Sequence, residues 1–224
     1  MRTVFESRTF HGYSDRDSGR VFENLEFRRC IFESCGVSIT RDPSKRSTIR
    51  NVQLQGCEVA GCALDAGIVE DVLVDGLRTA DLHHSWGAVF KHVVLRGRIG
   101  RIIISTEGFH SVFDPPSWVD PFAEPNKDYY QKVDWALDIS EAEFADCDIR
   151  GVPAGLIRRD PETQVVVTRQ KALEGTWRHL DLSATYWETA IQHFLEAGTP
   201  DLVLVAPKRS RVLKPLLAGL KLLR

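Results

Sequence analysis

From Leu25 onward the chain divides into blocks of five. Each block opens on a small or apolar residue and has an apolar residue two places later: LEFRR, CIFES, CGVSI and then, after the polar insertion TRDPSKR, VQLQG, CEVAG and CALDA. The series continues as GIVED, VLVDG, LRTAD and LHHSW, slips by one residue, and resumes as AVFKH and VVLRG. Its centres are Phe22, Phe27, Phe32, Val37, Ile49, Leu54, Val59, Leu64, Val69, Val74, Thr79, His84, Phe90 and Leu95. A half-buried strand alternates with period two and a helix repeats near 3.6, so neither template produces this spacing. The polar residues Arg28, Arg29, Glu33, Gln53, Gln55, Glu58, Asp65, Asp75, Arg78 and Asp81 fall between the apolar positions. The first and third residues of each block therefore point inward and the others face solvent. Such a unit buries its inner side chains only when stacked on its neighbours, as solenoid repeats do.

These blocks resemble the pentapeptide-repeat family, in which a small residue, a polar residue, Leu or Phe and two polar residues recur. The match covers residues 20 to 97 and returns at 137 to 154, where LDISE, AEFAD, CDIRG and VPAGL carry Leu137, Ile139, Ala142, Phe144, Cys147, Ile149, Val152 and Ala154 in the same frame. The resemblance implies a mainly β fold: a right-handed parallel β-helix of quadrilateral section, its coils stacked at the ~4.8 Å spacing of paired strands. It further implies a β-helical unit over residues 1–170 and a helical cap or dimerisation region over residues 171–224. In RGRIGRIII, residues 96 to 104, the frame is lost, and Arg98 takes a place where a small residue belongs.

Two regions break the repeat. Residues 105–136 hold Phe109, His110, Phe113, Trp118, Phe122, Tyr129, Tyr130 and Trp135 among Pro115, Pro116, Pro121 and Pro125. This composition predicts a long loop packed on the coils, and long structured loops are commonly functional. Beyond residue 155, QVVVTR reads as a strand. In ATYWETAIQHFLEAG, Tyr186, Trp187, Ile191, Phe194 and Leu195 lie at helical spacing, with Gly198 as a stop. In the tail, Leu213, Leu216, Leu217, Leu220 and Leu223 form an apolar stripe that cannot stay in water, with Pro215 near the start of its helix. The stripe either covers the end of the stack or pairs with a second copy. Because the helix around Trp187 already supplies a cap, and topoisomerase-protecting members of the resembled family dimerise through their C-terminal ends, a homodimer through 211–224 is expected.

The composition is that of an ordinary globular protein, with 29 basic and 31 acidic residues and a net charge of −2. That balance argues against nucleic acid as a partner, which calls for a basic face. No run of 18 apolar residues and no apolar segment in MRTVFESRTFHGYSDRD suggests a membrane span or a secretory signal, so the cytoplasm is the expected location. Cys30, Cys35, Cys57, Cys62 and Cys147 all occupy inward block positions, where a thiol serves as a small hydrophobe. Cys30 should stack on Cys57 and Cys35 on Cys62, on different walls, so neither zinc nor any other cofactor is expected. His84 takes an inward centre over Leu64, whereas His83 and His92 face outward. The basic run Lys208, Arg209 and Arg211 reads as a solvated helix end.

No phosphate-cradling, zinc-protease or nucleophile-elbow motif is present. The expected function is therefore a non-catalytic interaction module for a protein partner, with His83, Trp86, His110, Trp118, Tyr129 and Tyr130 as its candidate surface. One alternative implied by the resemblance is a DNA-mimicking, topoisomerase-protecting protein. Against it, the acids Glu26, Glu33, Glu58, Asp65, Asp75 and Asp81 are interleaved with Arg28, Arg29 and Arg78, whereas a mimic needs a sustained anionic field. The other alternative is an enzyme whose site is built by residues 105–136, using His84, His110, Asp114 and Asp120 as acid–base groups.

Overall fold

The computed structural model describes residues 1–111, 113–115, 117, 119–197 and 199–224. The protein is mainly β and is dominated by one large, curled parallel sheet whose longest hydrogen-bonded path passes through nine strands. Strands Thr3–Glu6, Val21–Arg28, Thr48–Ala60, Ile68–Thr79 and Val93–Ser105 lie side by side. Thr3 faces Leu25, Val21 faces Thr48, Thr48 faces Ile68, and Leu73 faces Val94. The partner lies twenty positions on from Thr48 but twenty-seven on from Val21, and the excess is the seven-residue insertion TRDPSKR.

The backbone carries the same period as the sequence. Left-handed residues, with φ from 49° to 74°, recur every five positions at Ser7, Gly12 and Asp17, at Asn24, Arg29 and Ser34, at Asn51, Gly56, Gly61, Ala66, Asp71 and Gly76, and at Gly87, His92 and Gly97. Most of these residues carry a Cβ, which disfavours that conformation, so the paired strands on either side must hold each corner in place. Between corners the inward positions build the first core, from Val52, Val72, Val74, Leu95 and Ile99 to Leu137, Ile139 and Phe144. The stack begins earlier than the sequence frame, because Phe5 stacks on Phe27 at 5.3 Å and Phe10 on Phe32 at 5.2 Å between ring centroids. At this end Phe27 and Phe32 are only half-buried.

Two details of the sequence frame are corrected by the register. Val59 faces Thr79 but Ala63 faces His84, so the one-residue slip precedes His83 rather than following Trp86. Ser85, not His84, consequently lies opposite Leu64 and is buried, while His83 turns inward beside Cys62. Residues 96–104 do slip from the frame, by a single residue, but stay within the sheet. Val93–Ser105 is one continuous strand whose register shifts between Arg96 and Ile99, where Gly97 at φ 65° accommodates the extra residue. That bulge returns Ile99 to the core at 1% exposure and leaves Arg98 in solvent.

The 105–136 segment is not all loop, since it contains helix α1, Ala123–Tyr130. It returns to the sheet through Leu137–Asp138 and Ala142–Arg150, the latter pairing with Val93–Ser105. Strands Gln164–Thr168 and Asp201–Val205 then form a separate antiparallel ribbon, flanked by α2 (Arg169–Glu174), α3 (Trp187–Ala197) and α4 (Leu213–Leu223). Gly198, the expected stop, lies outside the described residues. Asp201–Val205 alternates between two cores: Val203 and Val205 join the first, whereas Leu202 and Leu204 join a second with Val165, Val167, Trp187, Ile191, Phe194, Leu216 and Leu220. The C-terminal region thus packs on the first core while carrying a core of its own, which starts in the strand at Gln164.

The tail stripe is covered within the chain. Leu216 and Leu220 are fully buried, and the Trp187 indole donates to the Leu216 carbonyl at 3.1 Å. The physical motive for a homodimer through 211–224 is therefore absent. In the basic run, Lys208 pairs with Asp160 at 2.9 Å.

Two stability predictions follow from this packing. Phe144→Ala should cost about 3–5 kcal/mol and Phe27→Ala less, with Arg98→Ala within about 0.5 kcal/mol of the parent, measured by denaturant unfolding. Leu216→Ala should cost about 2–5 kcal/mol. Its unfolding midpoint and that of the parent should not move with protein concentration, as they would if a second chain completed the stripe.

Candidate functional site

The two segments that break the repeat meet on one side of the sheet. The insertion is shaped by its own polar side chains: Thr40 donates to Asp17 at 2.6 Å, and Asp42 accepts the Ser44 amide at 2.9 Å, capping the single turn Pro43–Lys45. Arg41 then makes a two-pronged ion pair with Asp114, at 2.7 and 3.2 Å, across to the 105–136 segment. Arg46 reaches beneath that segment. Its guanidinium donates to the Gly87 carbonyl at 2.5 Å and to the Asn126 side chain, and lies 4.8 Å from the Phe122 ring centre. Burial lowers its pKa to about 10, so it stays charged at neutral pH.

The 105–136 segment is strapped down along its length. Asp120 accepts the amides of Gly108 and Phe122 at 3.0 and 2.9 Å, and Asn126 on α1 donates to the Thr106 carbonyl at 2.6 Å. Tyr129 donates to Glu70 at 3.0 Å, and the Tyr130 hydroxyl accepts the Phe90 amide at 3.3 Å. At the far end His92 bridges Asp71 and Asp134, at 3.1 and 2.7 Å, and packs on Trp135.

Between the insertion, the wall of the sheet and this segment lies a cavity of about 630 Å³. The wall contributes Asp65 and Trp86, which face each other in register on neighbouring strands, together with Arg16 and Asp17. The segment contributes Phe109, Pro121 and Phe122. Trp86 meets Phe109 edge to face at 6.0 Å and stacks on His84 at 5.3 Å. Asp65 is half-buried, and its Oδ1 is sealed from solvent without a hydrogen-bond partner. Desolvation raises its pKa from 3.8 to about 6, against the opposing pull of the Trp86 backbone and the Arg16 charge. The next residue, Ala66, is a left-handed corner with φ of 53°, and its amide donates to the Trp86 carbonyl at 2.5 Å. A second cavity of about 420 Å³ lies where α3 faces Ile102, Cys147 and Ile149.

Of the residues singled out from sequence, Trp86 lines the first cavity. His83 is half-buried in the wall, where desolvation lowers its pKa. Tyr130 is a core residue at 8% exposure, and Tyr129 is half-buried against Glu70, so neither presents a docking surface. Burial pushes both phenols well above their ordinary pKa. His110 is exposed and within electrostatic reach of Asp114, and Trp118 lies outside the described residues. The proposed acid–base set does not converge: Asp114 is held low by its hydrogen bond from Arg41, Asp120 caps two amides, and His84 stacks on Trp86. Within this cleft the carboxyl with the raised pKa is Asp65, which the five-residue frame placed on the outer face. Nothing in that frame indicated that the 105–136 segment would roof this face.

The cysteines stack as predicted. The Cys35 amide lies 3.4 Å from the Cys62 sulfur, the amide of Glu58, the residue after Cys57, donates to the Cys30 carbonyl at 2.9 Å, and all five thiols are free. Burial raises the pKa of Cys57, Cys62 and Cys147. Among the described residues no group of three His, Cys, Asp or Glu side chains is arranged to hold a metal ion, and no helix is long and apolar enough to cross a membrane. No protein-family model matches the chain, and no curated protein or solved structure matches it either.

The desolvated carboxyl leads to a prediction of definite sign. Asp65 binds its proton more tightly folded than unfolded, so its contribution to stability is fully present below about pH 3.8 and is lost as pH rises through about 6. Asp65→Asn keeps the shape without the charge. It should raise the melting temperature at about pH 8 and leave it nearly unchanged at about pH 4. Equal shifts at both pH values, followed by circular dichroism, would show that the carboxyl is not desolvated.

Proposed function

We propose that the curled sheet is a right-handed quadrilateral β-helix of the pentapeptide-repeat type. Twenty-residue register offsets, left-handed corners every five residues and the block pattern all support this. On that scaffold the chain acts as a macromolecular interaction module with a protein partner, docking through the cleft around Asp65, Trp86 and Phe109. The observation that carries this reading is the way the cleft is made. The insertion and the 105–136 segment are fastened together by Arg41–Asp114 and Arg46–Asn126, and the concave surface they frame presents aromatic rings beside charged groups. Aromatic and arginine side chains at a pre-formed concavity are the residues that concentrate binding energy at protein interfaces. Phe109 is 51% exposed, so its ring is accessible to a partner entering the cleft.

The test is affinity purification of the tagged chain from its own cells beside the Trp86→Ala and Phe109→Ala variants. A protein recovered stoichiometrically with the parent and lost from both variants is the expected result, with unchanged melting curves as the check on folding. Recovery of the same proteins with all three would place docking elsewhere or dismiss it.

A further inference from the structure

We propose that the cleft receives an arginine side chain of the partner protein, its guanidinium seated against Asp65 and alongside the touching rings of Trp86 and Phe109. This rests on the docking reading above and specifies its chemistry. Three features point to a planar cation. First, the cleft is anionic: Asp17, Asp42 and Asp65 line it with Arg16 and Arg41, and once Arg41 is paired with Asp114 and Asp42 with Lys45 at 3.9 Å, two carboxylates face one guanidinium. Second, those carboxylates are not equivalent. Asp17 is engaged by Thr40 and Asp42 by Ser44, whereas Asp65 has an oxygen that is closed to solvent and unpartnered. A buried acceptor left in that state costs free energy, which a bound donor would recover by drawing that oxygen out toward the cleft. Third, the walls beside it are rings, Trp86 and Phe109 standing edge to face at 6.0 Å, and a guanidinium both stacks on aromatic faces and forks onto a carboxylate.

The opposing group is Arg16, which is exposed, makes no ion pair among the described residues and shares the cavity. It acts on Asp65 from across the cavity and would repel a cation placed beside it, so the incoming guanidinium has to approach Asp65 from the side of the rings. Its free guanidinium also offers a contact to a carboxylate or carbonyl flanking the arginine in the partner.

The experiment titrates the full chain with N-acetyl-arginine amide, with its neutral isostere N-acetyl-citrulline amide, and with free arginine, following amide resonances by NMR. The blocked arginine should bind saturably, shift the resonances around Asp65, Trp86 and Phe109, and do so at least about tenfold more tightly than citrulline, the worth of one charge-assisted hydrogen bond. Asp65→Asn, expected to be folded and more stable at neutral pH, should abolish that preference. Equal affinity for arginine and citrulline, no saturable binding of either, or a preference that survives Asp65→Asn would each overturn the proposal. Free arginine binding at least about tenfold more tightly than the blocked form would overturn it too, by making the cleft a small-molecule site. If the arginine arm fails while Trp86→Ala still strips the partner from the chain, the docking reading stands and this inference alone falls.

Discussion

A guanidinium buried without a carboxylate in contact is an expensive group to place in any fold, and Arg46 is such a group here. Its Nε has no partner, and its compensation comes from the Gly87 carbonyl, the Asn126 side chain and the face of Phe122. Those three groups belong to a corner of the sheet, to helix α1 and to the approach to that helix, so the arginine joins three parts of the chain at one point. Each partner is in turn fixed from another side: Asn126 by the Thr106 carbonyl, and Phe122 by the Asp120 cap on its amide. The cleft exists because this joint holds the insertion under the 105–136 segment. Arg41–Asp114, whose arginine is exposed to solvent, is the weaker fastener.

The sheet makes such a joint possible by being rigid and regular. Left-handed residues recur every five positions, and parallel backbone pairing ties each long strand to the next. A long departure from the period therefore cannot be absorbed by drift from strand to strand and leaves the sheet as an excursion. The seven residues of TRDPSKR do this, as do residues 105–136, and the two excursions emerge on the same side. Smaller irregularities are taken up locally: the single extra residue near Gly97 becomes a bulge, and the one before His83 exchanges which of two neighbouring histidines faces inward.

Much of the architecture was legible from residue types alone. The inward series from Val52 to Leu95, the stacked cysteine pairs and the helices around Trp187 and Leu216 were all readable, because each depends on a local period. The site was less legible for the same reason. Asp65 looked like any other outward acid, since its environment is set by Phe109, Pro121 and Phe122, more than forty positions away. Tyr130 looked like a surface aromatic because it sits in a segment rich in prolines, yet it is buried with its hydroxyl on the Phe90 amide. Likewise the tail stripe announced that it needed cover, but only the fold could say that Trp187 and the ribbon at Gln164–Thr168 provide it.

These two kinds of position place stability and function differently along the chain. Inward residues such as Ile99 and Phe144 gain from close packing and have no free valence for chemistry. Asp65, by contrast, sits on a regular wall position that a neutral residue would fill without the desolvation its charge incurs, and it follows directly into a strained alanine corner. Folding alone gives no reason to keep a carboxylate there. Side chains that weaken the fold and still converge with exposed rings on one cavity are the expected signature of a binding site, where a ligand supplies the interactions that the folded chain leaves unmade.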